Sequence, residues 1–453
     1  MFKNYPLTEN KLQQIIKDIK NLCAIPSVSF KSNDKKLPYG KHLDDALNYV
    51  LDLAKSFGFR TTKDVNNRYG FCEIGTGKKI FGIMAHLDVV SEGMVEQWNT
   101  SAFEPIVKDD CVIARGTLDD KGPAIINLHV MKYLHDHNLI DENWTIRMIF
   151  GLSEETDMES MKYYMADHGE FDFGFTPDGQ WPVISTEKLI YDFALNFKSQ
   201  NNLVINGGSV INQIADYCKI STKDNQKYFD YQDNHDKKML NDGVEYIGVA
   251  SHGSQPNKGV NAIINALKTY GEVFDDNKDL IKYINDNYFD NQYALNTALK
   301  GFSDFSGEVT ANLGVISTNN NIIKVSTNLR VPVTYSVDDV KKHIEQYLVD
   351  HKIDASFELL DTKPAKNFDL NSPLLKLMLD CYAFSSKEKD PQPKIIGGGT
   401  YAKLVTNCVA YGPAKDSVLM HAPNERISFD EIKICYEVYI NAIINLMKAI
   451  NNN

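Results

Sequence analysis

Apolar and polar positions recur along this chain in two rhythms, and the change of rhythm divides it. Near the start Leu12, Ile15, Ile16 and Ile19 repeat at helical spacing, which predicts an amphipathic helix. Short continuous apolar runs follow at 79–85, 144–151 and 171–175, and runs of that length between polar turns predict strands buried on both faces. Between the first two, 122–137 reads as a helix with Pro123 in its first turn, where a missing N–H is harmless. Alternating helix and strand over 1–188 predicts an α/β domain: a mixed, mostly parallel sheet covered by helices. From about Leu189 the texture changes. Residues 191–197 alternate like an exposed antiparallel strand, 221–243 are rich in Asp, Asn and Lys, and 251–261 are turn-rich and open a helix. Further strands are expected near 311–316 and 322–331. We read 189–365 as an inserted α+β domain, and 1–188 with 366–453 as one discontinuous domain. Its last part runs through a Gly-rich turn (Gly397, Gly398, Gly399, Thr400) and a strand to a long helix over 429–450.

Bulk properties narrow the class. With 453 residues, 43% of them hydrophobic and 24% charged, the chain suits two or three domains with sizeable cores. A net charge of −12 argues against nucleic acid as a partner, because phosphate binding needs a basic face. No apolar run approaches the roughly 18 residues of a membrane span, and no signal peptide is read at the N-terminus. The seven cysteines are scattered without a Cys-x-x-Cys spacing, which fits reduced thiols in the cytoplasm.

The candidate chemistry falls just after the expected strands, where open α/β sheets place their ligands. His86 and Asp88 stand two residues apart in an extended segment and therefore share a face. Downstream come Asp119 in Gly116–Gly122, Glu154 and Glu155 in Ser153-Glu154-Glu155-Thr156, Asp178 in Thr176-Pro177-Asp178-Gly179, and His421. Each alone has a bland explanation: a solvated acidic pair, a turn aspartate, a buried histidine. Together His86, Asp119, Glu155, Asp178 and His421 offer two imidazoles and three carboxylates, a donor set for zinc, manganese or cobalt in a hydrolytic site. Two ions about 3.5–4 Å apart need a bridging carboxylate, and Asp119 is the natural one. Asp88 suits orienting His86 through the other ring N–H. Glu154, beside a ligand, suits a base that takes a proton from water. His129, His135 and His137 have no acidic companions at ligand spacing and read as structural.

At these residues the sequence resembles the co-catalytic di-metal exopeptidases related to aminoacylase and glutamate carboxypeptidase, and most closely the bacterial dipeptidase V type. The resemblance runs through Ala85–Val90, Arg115–Pro123, Gly151–Thr156, Phe175–Asp178 and Met420–Glu425 in family order. It implies a metal-dependent dipeptidase with two divalent ions, zinc first. His86, Asp119 and Asp178 would hold one ion, Asp119, Glu155 and His421 the other, and Glu154 would be the general base. It also implies that the inserted domain is a lid. There His252 and Asn212 would contact the developing oxyanion and Arg330 the substrate carboxylate, with Gly399 and Thr400 also at the substrate. Lys403 stands where the family usually carries arginine, and a point charge is not equivalent to a planar fork at a carboxylate. A lid of roughly 175 residues exceeds the common domain size of about 100–150, so the protein is expected to work as a monomer with His252 acting in cis. An N-acyl amino acid deacylase or desuccinylase would share every metal ligand. A non-catalytic peptide-binding protein would have no need of Glu154.

Overall fold

In the computed structural model, which describes residues 2–288, 293–415 and 417–451, the chain falls into two units. One comprises Met1–Ser185, Asn367–Ile395 and Thr400–Asn453, the other Thr186–Lys366 and Ile396–Gly399. Two of the four crossings lie within three residues of those expected from sequence; the excursion of 396–399 into the second unit was not expected. The Gly-rich turn is split: Gly399 goes with the second unit and Thr400 with the first.

The first unit is built on strands β1 (Arg60–Lys63), β2 (Gly70–Gly75), β3 (Lys79–His86), β4 (Trp144–Gly151), β5 (Phe173–Thr176), β6 (Ile184–Glu187) and β7 (Cys408–Ala410). They lie in the order β1-β2-β4-β3-β5-β7-β6. The centre (β4, β3, β5, β7) is parallel, and the flanks are antiparallel. Strand side chains alternate, so β3 and β4 feed two cores at once. Ile83, Ala85, Met148 and Phe150 join a core with the helices Glu9–Cys23, Lys121–Asp136 and Phe429–Asn451. Met84 and Ile149 point the other way, into a smaller cluster under the helix Glu159–His168. With both faces covered, β3 and β4 are almost wholly buried, which is why they read as unbroken apolar runs. His129 is not without an acidic companion: its Nε2 stands 2.9 Å from Asp18 Oδ2, 111 residues earlier, tying two helices together.

The second unit is an eight-stranded antiparallel sheet backed by Ala262–Val273, Lys278–Tyr288 and Val337–Asp350. Here the sequence reading needs correction. The strand Leu189–Lys198 is not exposed; it lies between Ile322–Val331 and Ala355–Lys363 and buries Tyr191, Phe193, Leu195 and Phe197. Its alternate residues Ile190 and Ala194 are buried too, so the alternation in sequence marked no wet face. The polar stretch after Ser221 holds a short helix, Asn225–Asp230, and the strands Lys237–Leu240 and Gly243–Ile247.

A polar knot pins the ends of this unit's helices. Burial works against ionisation of Asp276, but hydrogen bonds from Lys223, Tyr270, Asn201 and Asn277 outweigh it and hold the carboxyl at about 2. Because the folded value lies below the ordinary 3.8, the stabilisation is present above about pH 4 and is lost as pH falls towards 2. Asp276→Ala is expected to cost about 1–3 kcal/mol at pH 7 by leaving those donors unpaired. Urea unfolding at pH 7 and pH 3 should show the gap between variant and wild type narrowing in acid.

No helix among the described residues is long and apolar enough to cross a membrane. All seven cysteines are free.

Candidate metal centre

The carboxyl ends of the parallel strands supply the site. His86 closes β3 opposite Gly151, the last residue of β4, after which the chain turns through Ser153, Glu154 and Glu155. Asp178 follows β5 by two residues. Asp119 sits in the turn before the helix Lys121–Asp136. That turn is tight: Gly116 has a φ of +88°, and a Cβ on Gly122 would lie 2.1 Å from the Thr117 carbonyl oxygen. His421 comes from the opposite end of the sequence and itself holds a left-handed φ of +62°.

These residues form two clusters that share one member, His86–Asp119–Asp178 and Asp119–Glu155–His421. Asp119 Oδ1 stands 2.9 Å from His86 Nε2, while Oδ2 stands 2.9 Å from His421 Nε2. Asp178 Oδ2 is 3.6 Å from His86 Nε2, and Glu155 Oε1 is 3.0 Å from His421 Nε2.

The arrangement fits cations. His86 Nδ1 lies 2.8 Å from the Asp88 main-chain carbonyl, which can only accept, so that nitrogen carries the ring proton. Nε2 then presents a lone pair to two carboxylates. It is fully buried and makes no hydrogen bond of acceptable geometry. A lone pair facing two anions in a dry pocket calls for a positive charge between them. The electrostatics agree. Burial, and after it the charge of Asp119, pushes the Asp178 carboxyl well above its ordinary range. Burial likewise raises Asp120. Burial opposes charge on His86 and His421, but without a cation the facing carboxylates outweigh it and draw both imidazoles towards their protonated form. That in turn outweighs the burial of Asp119 and holds its carboxyl down; a divalent ion would take the place of those protons.

Asp88 does something other than orient His86 through its side chain. Its carboxylate stays 3.5 Å from His86 Nδ1. Instead it accepts the backbone N–H groups of Glu154 (3.0 Å) and Glu155 (3.0 Å) and the Ser29 hydroxyl (2.8 Å). A carboxylate facing two main-chain donors is better satisfied there than by one ring N–H that already has a carbonyl. The consequence is useful: Asp88 fixes the backbone from which Glu154 and Glu155 project. Glu154 is buried and stands outside both clusters.

The remaining sequence candidates fall mostly in the second unit. Ser254 donates its backbone N–H to His252 Nδ1 at 3.1 Å, so the ring proton of His252 belongs on Nε2. The neighbouring Gly253 N–H bonds the Asn212 carbonyl at 2.7 Å, which brings the two loops side by side. Arg330 is buried, donating from Nε to Asn328 Oδ1 (3.0 Å) and from Nη1 to the Gly397 carbonyl (2.8 Å). Both acceptors are neutral. Burial lowers its pKa to about 10, with the Asp192 charge opposing the drop, so it stays cationic near neutrality. Gly399 belongs to this unit too. In the first unit Thr400 caps the short helix Tyr401–Leu404, accepting the Ala402 N–H at 3.2 Å, and Lys403 is buried within it.

Sequence reasoning missed Ser29, Arg115, Asp120 and Glu425 as parts of this centre. Asp120 Oδ2 accepts the His86 N–H at 3.1 Å, and Glu425 accepts that of Asp119 at 3.1 Å. Main-chain donors carry no sequence signature, so only the doubled acid of Asp119-Asp120 and the Glu425 after His421 hinted at it.

Comparison with known proteins agrees. The description "Peptidase family M20/M25/M40" matches residues 82–445. A Staphylococcus aureus (strain MRSA252) protein, provisionally named a dipeptidase, is 32% identical over 465 aligned residues, 96% of this chain and 97% of its own. Among solved structures, an M20 family metallo-carboxypeptidase of Sulfolobus solfataricus shares the fold with a TM-score of 0.61 at 15% identity, over 97% of this chain and 99% of that one. The dipeptidase Dug1p of Saccharomyces cerevisiae does so with a TM-score of 0.60 at 12% identity, over 96% of each. The chain therefore belongs to peptidase family M20/M25/M40 and is a metallopeptidase.

Proposed function

We propose that the protein is a dipeptidase acting at a two-cation centre, with Glu154 as general base. The observation that carries this reading is the division of Asp119, whose two oxygens each face a different histidine at 2.9 Å. One ion would take His86, Asp119 and Asp178, the other Asp119, Glu155 and His421. Zinc is the first choice, and the same donors accept manganese or cobalt. Bound there, such ions would supply Lewis acidity, lowering the proton affinity of water and polarising the scissile carbonyl. Glu154, held on the backbone that Asp88 clamps, takes the proton of the attacking water and returns it to the leaving amine.

The second unit's share rests on the family resemblance, and the chemistry of its residues supports it. His252, with its proton on Nε2, donates to the oxyanion, and Asn212 adds a further donor. Arg330, a buried guanidinium whose bonds go to neutral oxygens, pairs with the free carboxylate of the substrate; Gly399 and Thr400 keep the substrate role that the family resemblance suggests. The relative named as a dipeptidase supports two residues as the substrate length. We place the protein in the cytoplasm, as a monomer using its own His252.

The test is a panel of dipeptides beside N-acetyl and N-succinyl amino acids, offered to chelated protein reloaded with zinc, manganese or cobalt singly. Turnover of dipeptides, abolished by chelation and restored by metal, is the expected result. Preference for the N-acyl compounds would replace the dipeptidase with a deacylase.

A further inference from the structure

Glu425 is fully buried, and the reaction above gives it no part. Its carboxylate nevertheless meets four donors. Oε2 accepts Arg115 Nη1 at 2.8 Å and the Gly116 N–H at 3.1 Å, and Oε1 accepts the N–H groups of Leu118 (2.8 Å) and Asp119 (3.1 Å). Arg115, buried against the Trp98 ring at 5.3 Å, carries the contact onward. Its Nη2 donates to the His421 carbonyl at 3.2 Å and its Nη1 to that of Ala422 at 3.3 Å. One ion pair thus grips the main chain of both Asp119 and His421, which come from opposite ends of the sequence.

The other cluster is supported differently. His86 is braced by the Asp88 carbonyl and by Asp120, and Asp178 by its place after β5. Of the two ligand sets, only Asp119–Glu155–His421 has two members on the Arg115–Glu425 pair. Burying two charges is costly, and an apolar pair of similar volume commonly gives equal or better stability. Satisfying three converging N–H groups and three carbonyls, that of Ser91 included, needs a charged acceptor and a forked donor.

We propose that the Arg115–Glu425 pair is a positioning device that sets the spacing of Asp119 and His421, and through it the affinity of the cation they share with Glu155. This rests on the two-cation reading. The experiment titrates chelated full-length protein with Mn²⁺, following stepwise affinities by calorimetry and the exchange-coupled manganese pair by electron paramagnetic resonance. In Glu425→Gln the second dissociation constant is expected to rise about ten- to hundredfold, and the first, whose ligands share only Asp119 with the pair, by clearly less. At two equivalents of Mn²⁺ the pair signal should give way to a mononuclear spectrum. Arg115→Lys keeps the charge but loses the fork, so it should shift the same constant in the same direction by less, and it carries the test if the glutamine variant fails to fold. Unchanged constants in both variants, or two constants rising in parallel, would overturn the proposal. A wild-type protein that binds a single Mn²⁺ would overturn the two-cation reading itself, a distinguishable result.

Discussion

Glu154→Gln is expected to lower kcat for a dipeptide by on the order of 10²–10⁴-fold, the usual contribution of a positioned general base, while leaving metal content unchanged. Glutamine matches the shape of the buried side chain and leaves the backbone bond from Glu154 N–H to Asp88 Oδ1 intact. What it removes is the ability to accept a proton. Neither ligand cluster contains Glu154, so metal analysis of the variant should match the wild type. The two measurements belong together: a variant that keeps its metal and retains most of its turnover would end Glu154's assignment as the base.

The second large effect is expected at Asp119. In Asp119→Asn one oxygen remains, and an NH₂ group replaces the other. Whichever way the amide turns, it presents a donor to a cation on one side. The centre should then hold at most one ion tightly. Losing one ion's share of transition-state stabilisation, several kcal/mol, corresponds to about 10³-fold in kcat. Metal analysis after gel filtration should show fewer ions per chain than in the wild type. Two tightly held ions in this variant would show that Asp119 is not the bridge.

How much of this was legible in the sequence depends on the kind of interaction. The place of His86 could be read because the apolar run before it marks a strand that ends on it. The position of the acidic residues followed because parallel strands deliver their next residues to one edge. The sheet itself was legible because strands buried on both faces leave unbroken apolar runs. Partners joined through the main chain were not. Asp88 was expected to face a ring N–H, yet it holds the backbone of residues 66 and 67 positions away. The link between Glu425 and Asp119 spans 306 residues, and nothing local to Glu425 announces it. The strand Leu189–Lys198 misled for a related reason: its alternation suggested a wet face, but neighbours on both sides and packing on both faces bury it.

The first unit's two-part construction has a consequence for the nascent chain. A ribosome delivers His86, Asp119, Glu154, Glu155 and Asp178 well before His421 and Glu425. Until those emerge, the loop that presents Asp119 lacks its Glu425 brace, and on the two-cation reading only one ligand set is complete. On the two-cation reading, hydrolytic competence waits for His421, and a product truncated ahead of it is expected to be inert rather than an unregulated peptidase.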